Sequence, residues 1–145
     1  MKRIAAALVL SAIASAAAAG EFRSIAADGT PMYDAPSLRA KKRFVASRLY
    51  PVEIVIDIDK WVKVRDPAGD LSWVEKKAVA DRRTVLVAAP MADVRQSASD
   101  QAPLVFRAQQ GVVLDVAAPP AAGWIRVRHA DGQTGYVRIG QIWGI

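Results

Sequence analysis

The chain has 145 residues, a formal charge of +6 and no cysteine. Without cysteine there is no disulfide, no thiol nucleophile, no cysteine-ligated zinc and no lipid-modified cysteine behind a leader. The basic excess is too small to imply nucleic-acid binding, and a single histidine cannot build a histidine cluster for a metal.

Residues 1–19 read as a signal peptide. Met1-Lys2-Arg3 supplies the positive start, Ile4 to Ile13 is almost unbroken apolar sequence, and Ala17-Ala18-Ala19 fits the small-x-small cleavage rule. Cleavage is expected after Ala19 or one residue later, because the apolar core is shorter than the roughly 20 residues of a retained membrane span. No second long apolar run follows, so the mature chain is expected to be soluble, without a transmembrane segment, and periplasmic or secreted. Losing Lys2 and Arg3 lowers the charge from +6 to +4. Export also argues against a nucleic-acid partner.

The next 60 or so residues read as short strands. A long loop, 38–51, carries Arg39-Ala-Lys-Lys-Arg43. In 52–58, alternation puts Val52, Ile54, Ile56 and Ile58 on one face, with Glu53, Val55 and Asp57 opposite. In 61–65, Val62 and Val64 turn inward while Trp61, Lys63 and Arg65 turn outward. Asp66-Pro-Ala-Gly69 is a good turn between antiparallel strands. A short helical turn is expected at Lys76–Val79. The linker, around Ala80–Arg83, is very short, and Thr84–Val87 is compatible with either half.

From there the chain repeats itself. Trp61-Val-Lys-Val-Arg65 returns as Trp124-Ile-Arg-Val-Arg128, Gly69 as Gly132, and Trp73-Val74 as Tyr136-Val137, all 63 residues on. Arg23–Ala27 aligns with Val85–Ala89, and Met32–Ser37 with Val94–Ser99, at a spacing of 62; Val52–Ile56 aligns with Val112–Val116 at 60. The offset changes only across loops, as it should in two copies of one fold. The charge is uneven: residues 21–83 hold 13 basic and 10 acidic side chains, residues 84–145 hold 5 and 4. Every lysine after the signal lies in the first copy. Many short strands joined by Gly, Pro and Asp turns predict an all-β protein.

Two blocks carry a family resemblance. Met32-Tyr-Asp-Ala-Pro-Ser37 is similar to the opening strand of the bacterial SH3-like domains of the cell envelope. Gly123-Trp-Ile-Arg-Val127 followed by Gly132-Gln-Thr-Gly-Tyr-Val137 resembles their most specific motif, Gly-Trp-x-x-Val, a turn glycine, then Gly-aromatic-Val. Copy one departs from it, with Lys60 before Trp61 and Ser72 before Trp73. The resemblance implies two tandem small SH3-like β-barrels after the cleaved signal, over residues 21–81 and 82–145, packed on one another rather than swinging freely. It also implies a non-enzymatic binding role, with peptidoglycan stem peptides, another wall component or an envelope protein as the partner. Tyr33, Trp61 and Trp73, with Trp124 and Tyr136, match positions of the aromatic shelf on which eukaryotic SH3 domains hold proline-rich peptides. The rest of that shelf is missing: Glu75 and Arg138 replace its proline, Ala78 and Gln141 its last tyrosine, and Arg95 its first tyrosine in copy two. Proline-rich recognition is therefore not expected.

Trp61 and Trp124 stand out as outward rings opposite the core valines. Two readings stay open for them: an exposed contact surface, or burial at the barrel edge or between the barrels. Lys63, Arg65, Arg126 and Arg128 flank them and are placed to hold carboxylates, or are ordinary strand-surface charge. Arg39, Lys41, Lys42 and Arg43 form a basic loop, either an anion-docking patch or a solvated connection. Trp143 is expected to plug the second barrel. Asp57 and Asp59 share a strand face, but a domain this small offers no deep cleft for a catalytic carboxylate pair. They are expected to end a strand and pair with lysines. His129, alone in a turn, has no nucleophile and no metal partners. The sequence calls for no enzyme activity, no cofactor and no metal.

Overall fold

A computed structural model describes residues 20–145; the expected signal, residues 1–19, lies outside the described residues. The first half holds β1 (Glu21–Ile25), β2 (Thr30–Tyr33), β3 (Lys42–Ala46), β4 (Pro51–Ile58), β5 (Trp61–Arg65), β6 (Leu71–Glu75) and β7 (Val79–Ala80). The second holds β8 (Thr84–Val87), β9 (Met91–Arg95), β10 (Leu104–Gln109), β11 (Val113–Val116), β12 (Trp124–Arg128), β13 (Thr134–Arg138) and β14 (Ile142–Trp143). A 3-10 turn at Lys76–Ala78, where a helical turn was expected, recurs at Ile139–Gln141.

The strands form two antiparallel sheets with the same internal order. The first runs β3-β2-β6-β5-β4-β1-β7 and the second β10-β9-β13-β12-β11-β8-β14. Each position in one sheet is filled by its repeat counterpart in the other, so duplication in the sequence is duplication in the fold. β8 pairs with β11 and β14, which places Thr84–Val87 in the second sheet.

Neither sheet closes into a barrel, and this corrects the expected architecture. Closure would require β7 to pair with β3. Instead β7 has two residues, and both are registered against β1. In the second sheet β14 is equally short and lies against β8. β3 and β7 thus each pair on one side only, as do β10 and β14, and each sheet keeps two open edges.

Each sheet has its own apolar core. Ile25, Met32, Ala46, Val52, Val62, Val64 and Val74 are buried in the first, and Val85, Val87, Val94, Leu114, Ile125, Val127, Val137 and Ile142 in the second. The inward valines of β5 and β12 follow the predicted alternation. β4 does not. Val52 is buried and Ile54 half-buried, but Ile56 and Ile58 are exposed. The cause is a bulge: Ile54 pairs with Val64, then Ile56 with Lys63, leaving Val55 as an extra residue. An extra residue reverses the parity of everything beyond it. Ile56 and Ile58 thus stand opposite the outward Lys63 and Trp61.

The halves are joined by more than the linker. Buried Thr84 donates its hydroxyl to the Leu49 carbonyl at 2.7 Å, and buried Ser24 donates to the Arg82 carbonyl at 2.7 Å. Trp143 does not plug the second core as expected. Its ring meets Phe22 of the first half edge-on at 5.2 Å, and the Arg83 guanidinium lies 5.6 Å from the same Phe22 ring. Sitting on the short last strand at the end of the sheet, the indole is turned towards the neighbouring half.

Candidate functional site

In the first half, the hairpin register brings the outward face together. Trp61 pairs with Glu75, Lys63 with Trp73 and Arg65 with Leu71, so their side chains share the surface of β5 and β6. Tyr33, registered against Trp73, is almost wholly buried and meets the Trp61 ring edge-on at 5.5 Å. Trp61 itself is half-buried. It walls an open groove of about 640 Å³ with Leu38, Asp59, Lys60, Glu75, Lys76 and Lys77. Leu38, which lines this groove with Trp61, is 65% exposed.

The charges around this groove are only partly neutralised. Lys76 pairs with Asp57 at 2.8 Å and Lys77 approaches Glu75 at 3.7 Å, whereas Lys60 has no ion pair among the described residues. Asp57 therefore plays the strand-end role expected of it. Lys63 lies 5.9 Å above the Trp73 ring, a cation–π arrangement that covers part of that ring. Arg65 points to Glu53 at 2.6 Å and does not reach the groove. The predicted basic loop is only partly a loop, since Lys42 and Arg43 begin β3; it supplies Leu38 to the groove but spreads its charges elsewhere. Lys41, Lys42 and Arg43 border a separate shallow depression with Asp34, Arg43 also donates to the Leu71 carbonyl at 3.2 Å, and Arg39 is exposed.

The second half builds the same place differently. Trp124 is buried, so of the two readings left open for it the exposed contact surface does not hold. Its cross-strand partner Arg138 lays its guanidinium on the indole, 4.4 Å from the ring centroid. Arg138 in turn grips Asp100 with two nitrogens on two oxygens, Nε to Oδ1 at 3.2 Å and a closer second contact. The Asp100 carboxyl is held below the usual carboxylate range, first by this hydrogen bond, with the fields of Arg138 and Arg95 adding. Arg95, in the place of Tyr33, donates to the Ala102 carbonyl at 2.9 Å. Arg126 and Arg128 are exposed on the strand, and Tyr136 is half-buried opposite Arg126.

Three positions decide the contrast. At the repeat offsets of 62 and 63, Leu38 corresponds to Asp100, Trp61 to Trp124 and Glu75 to Arg138. Leu38 and Glu75 have nothing to offer each other, so the groove over Trp61 stays open. Asp100 and Arg138 attract, and their contact covers Trp124. Sequence reasoning singled out the tryptophans and named Glu75 and Arg138 only as replacements of the shelf proline, and it missed Leu38, Asp100 and their pairing with those two. The repeat offset held the signal, since an uncharged-acidic pair in one copy answers an acidic-basic pair in the other.

Among the described residues no group of three or more His, Cys, Asp or Glu side chains is placed to hold a metal ion. His129 lies beside Asp131, its Nδ1 3.0 Å from the carboxylate, in a surface turn. No helix of the described residues is long and apolar enough to cross a membrane.

The family model described as the bacterial SH3 domain matches the chain twice, over residues 26–81 and 88–144. The chain belongs to the bacterial SH3 domain family. The two matches make it a tandem of such domains, a family assignment consistent with binding modules. Among solved structures it is similar to NlpC1 from Trichomonas vaginalis, at 14% identity and a TM-score of 0.41, over 92% of this chain and 50% of that one. NlpC2 from the same organism is 13% identical with a TM-score of 0.39, over 86% and 48%. An NlpC/P60 family protein from Bacillus cereus is 16% identical with a TM-score of 0.38, over 84% and 55%. The chain thus spans about half the length of each. No curated protein matches it. In both bacterial SH3 domains the residues at the shelf-proline position, Glu75 and Arg138, are charged.

Proposed function

We propose that this tandem of bacterial SH3 domains works outside the cytoplasm, in a periplasm or beyond the cell, and binds peptidoglycan stem peptides through the Trp61 groove of its first domain. The observation that carries the reading is the open groove itself: an indole and an exposed leucine beside a lysine with no ion-pair partner among the described residues. Stem peptides alternate small alkyl side chains with carboxylates. The alkyl groups would lie against Trp61 and Leu38, and a carboxylate would meet Lys60 or Lys77. The signal-like pattern of residues 1–19 supports an envelope setting.

The energetics follow from the shape. Exposed charge pairs contribute about 0.2–1 kcal/mol each, so the indole contact dominates and single-site binding is expected to be modest. With Trp124 covered, the second domain adds no second indole groove. Retention on purified sacculi tests the reading. Trp61→Ala should lower the retained fraction about tenfold or more; equal retention of wild type and variant would refute the groove.

A second reading has one observation of its own. Ile56 and Ile58 are each more than two-fifths exposed beside Trp61, an apolar strip that suits docking on an envelope protein. Under that reading Ile56→Asp abolishes capture of an envelope protein while sacculus binding persists.

A further inference from the structure

The Arg138 contact does more than cover an indole. The guanidinium is fixed on one side by the Trp124 ring, whose position follows from the β12–β13 register, and presents its edge as a two-nitrogen fork. A fork held flat on an aromatic ring is already oriented for a carboxylate, so little freedom remains to be lost on binding. The residue it meets, Asp100, comes from the irregular stretch between β9 and β10 and is 58% exposed in its side chain. Arg95 is engaged by the Ala102 carbonyl at 2.9 Å and by Asp93 at 3.3 Å, so it contributes to Asp100 only through its field.

We infer that the second domain holds a carboxylate-binding seat, made by Arg138 on Trp124, and that Asp100 occupies this seat as an internal stand-in for the terminal carboxylate of a peptide. The seat is separate from the Trp61 groove and stands or falls independently of it. Its occupant is weakly held. An exposed ion pair of this kind favours the closed arrangement only about two- to fivefold, so an external carboxylate can exchange with Asp100 without unfolding anything. In copy one the same exchange is impossible, because Glu75 offers no fork and Leu38 no carboxylate.

The test uses the full chain labelled with nitrogen-15 and follows the Trp124 indole N–H by NMR. N-acetyl-alanyl-alanine, with a free carboxylate, is titrated beside its C-terminal amide. The acid is expected to shift the Trp124 signal and the amide to leave it in place. Asp100→Asn, which removes the competitor, should tighten the acid about two- to fivefold. Arg138→Gln should abolish the response, and Arg138→Lys, which keeps the charge but loses the fork, should weaken it. Dispersed core signals confirm that each variant is folded. An Asp100→Asn affinity equal to wild type, a response to the amide as strong as to the acid, or a response that survives Arg138→Gln would overturn the seat. Inorganic phosphate acting as strongly as the acid on Asp100→Asn would overturn its assignment to carboxylates. Sacculus retention of Trp61→Ala is read in the Arg138→Gln background, where the seat is disabled, so failure of one proposal is distinguishable from failure of the other.

Discussion

Gly135 sits where the second sheet is tightest, and its replacement by alanine can be worked through from the geometry. A Cβ added there would lie 2.6 Å from Val94 Cγ1 and 2.7 Å from the Arg95 backbone oxygen. The valine methyl has a fully buried core around it, and the oxygen belongs to the strand that β13 pairs with, so neither can step aside cheaply. Overpacking of this kind costs about 1–3 kcal/mol. Alanine also reduces the freedom of the unfolded chain, which returns about 0.4–1 kcal/mol. The net expectation is a loss of about 1–2 kcal/mol. For a domain of this size each kcal/mol moves the midpoint by about 4–8 °C, so Gly135→Ala should lower the melting temperature of the second domain by roughly 5–15 °C. Thermal unfolding followed by near-ultraviolet circular dichroism reads this out. An unchanged or raised midpoint would refute the claim that β9 and β13 approach too closely for a side chain.

Ser72, the counterpart of Gly135 in copy one, is buried and its hydroxyl has no hydrogen-bond partner among the described residues; Ser72→Ala should stabilise the first domain by about 1 kcal/mol, seen as a higher denaturant midpoint. Phe22→Ala removes the edge-on contact with Trp143 and the face offered to Arg83, together about 1–2 kcal/mol of coupling between the domains. Calorimetry should show the two domains' transitions separating. Because the Asp100 carboxyl is held below its ordinary value, its contact with Arg138 contributes fully above the unfolded carboxylate pKa of about 3.9 and is lost as pH falls through the folded value. Acidification from pH 6 through that folded value should therefore change the Trp124 indole signal in wild type and not in Asp100→Asn. Asp131, also held below its ordinary value, mainly by the Gln133 backbone N–H, sits in the β12–β13 turn and serves as the control.

What the sequence made legible was whatever repeats locally. The Trp-x-x-Val blocks, the turn glycines and the 62- and 63-residue offsets fixed two copies with matching strands, and alternation placed Val62, Val64, Ile125 and Val127 inside. The failures share a cause, which is that they depend on pairing between distant segments. Nothing within 52–58 announces that Val55 is an extra residue; only the register against β5 does, and it sends Ile56 and Ile58 outward. Strand parity put Trp124 on the outer face correctly, but a residue 24 positions before it in the chain supplies the carboxylate that pins Arg138 over it. Trp143 was assigned to its own core because the contact with Phe22 spans nearly the whole described chain. Barrel closure failed for a backbone reason, since two-residue end strands are invisible to side-chain pattern.

Exchanging the deciding residues between the copies tests the account most directly. In one variant Leu38→Asp and Glu75→Arg place the latch over Trp61; in a second, that pair is combined with Asp100→Leu and Arg138→Glu, which uncovers Trp124. Retention on purified sacculi should fall to background in the first and return at least in part in the second. Full retention by the first variant, folded and with its Trp61 ring covered, would contradict an open groove at Trp61 as the place where this protein meets its ligand.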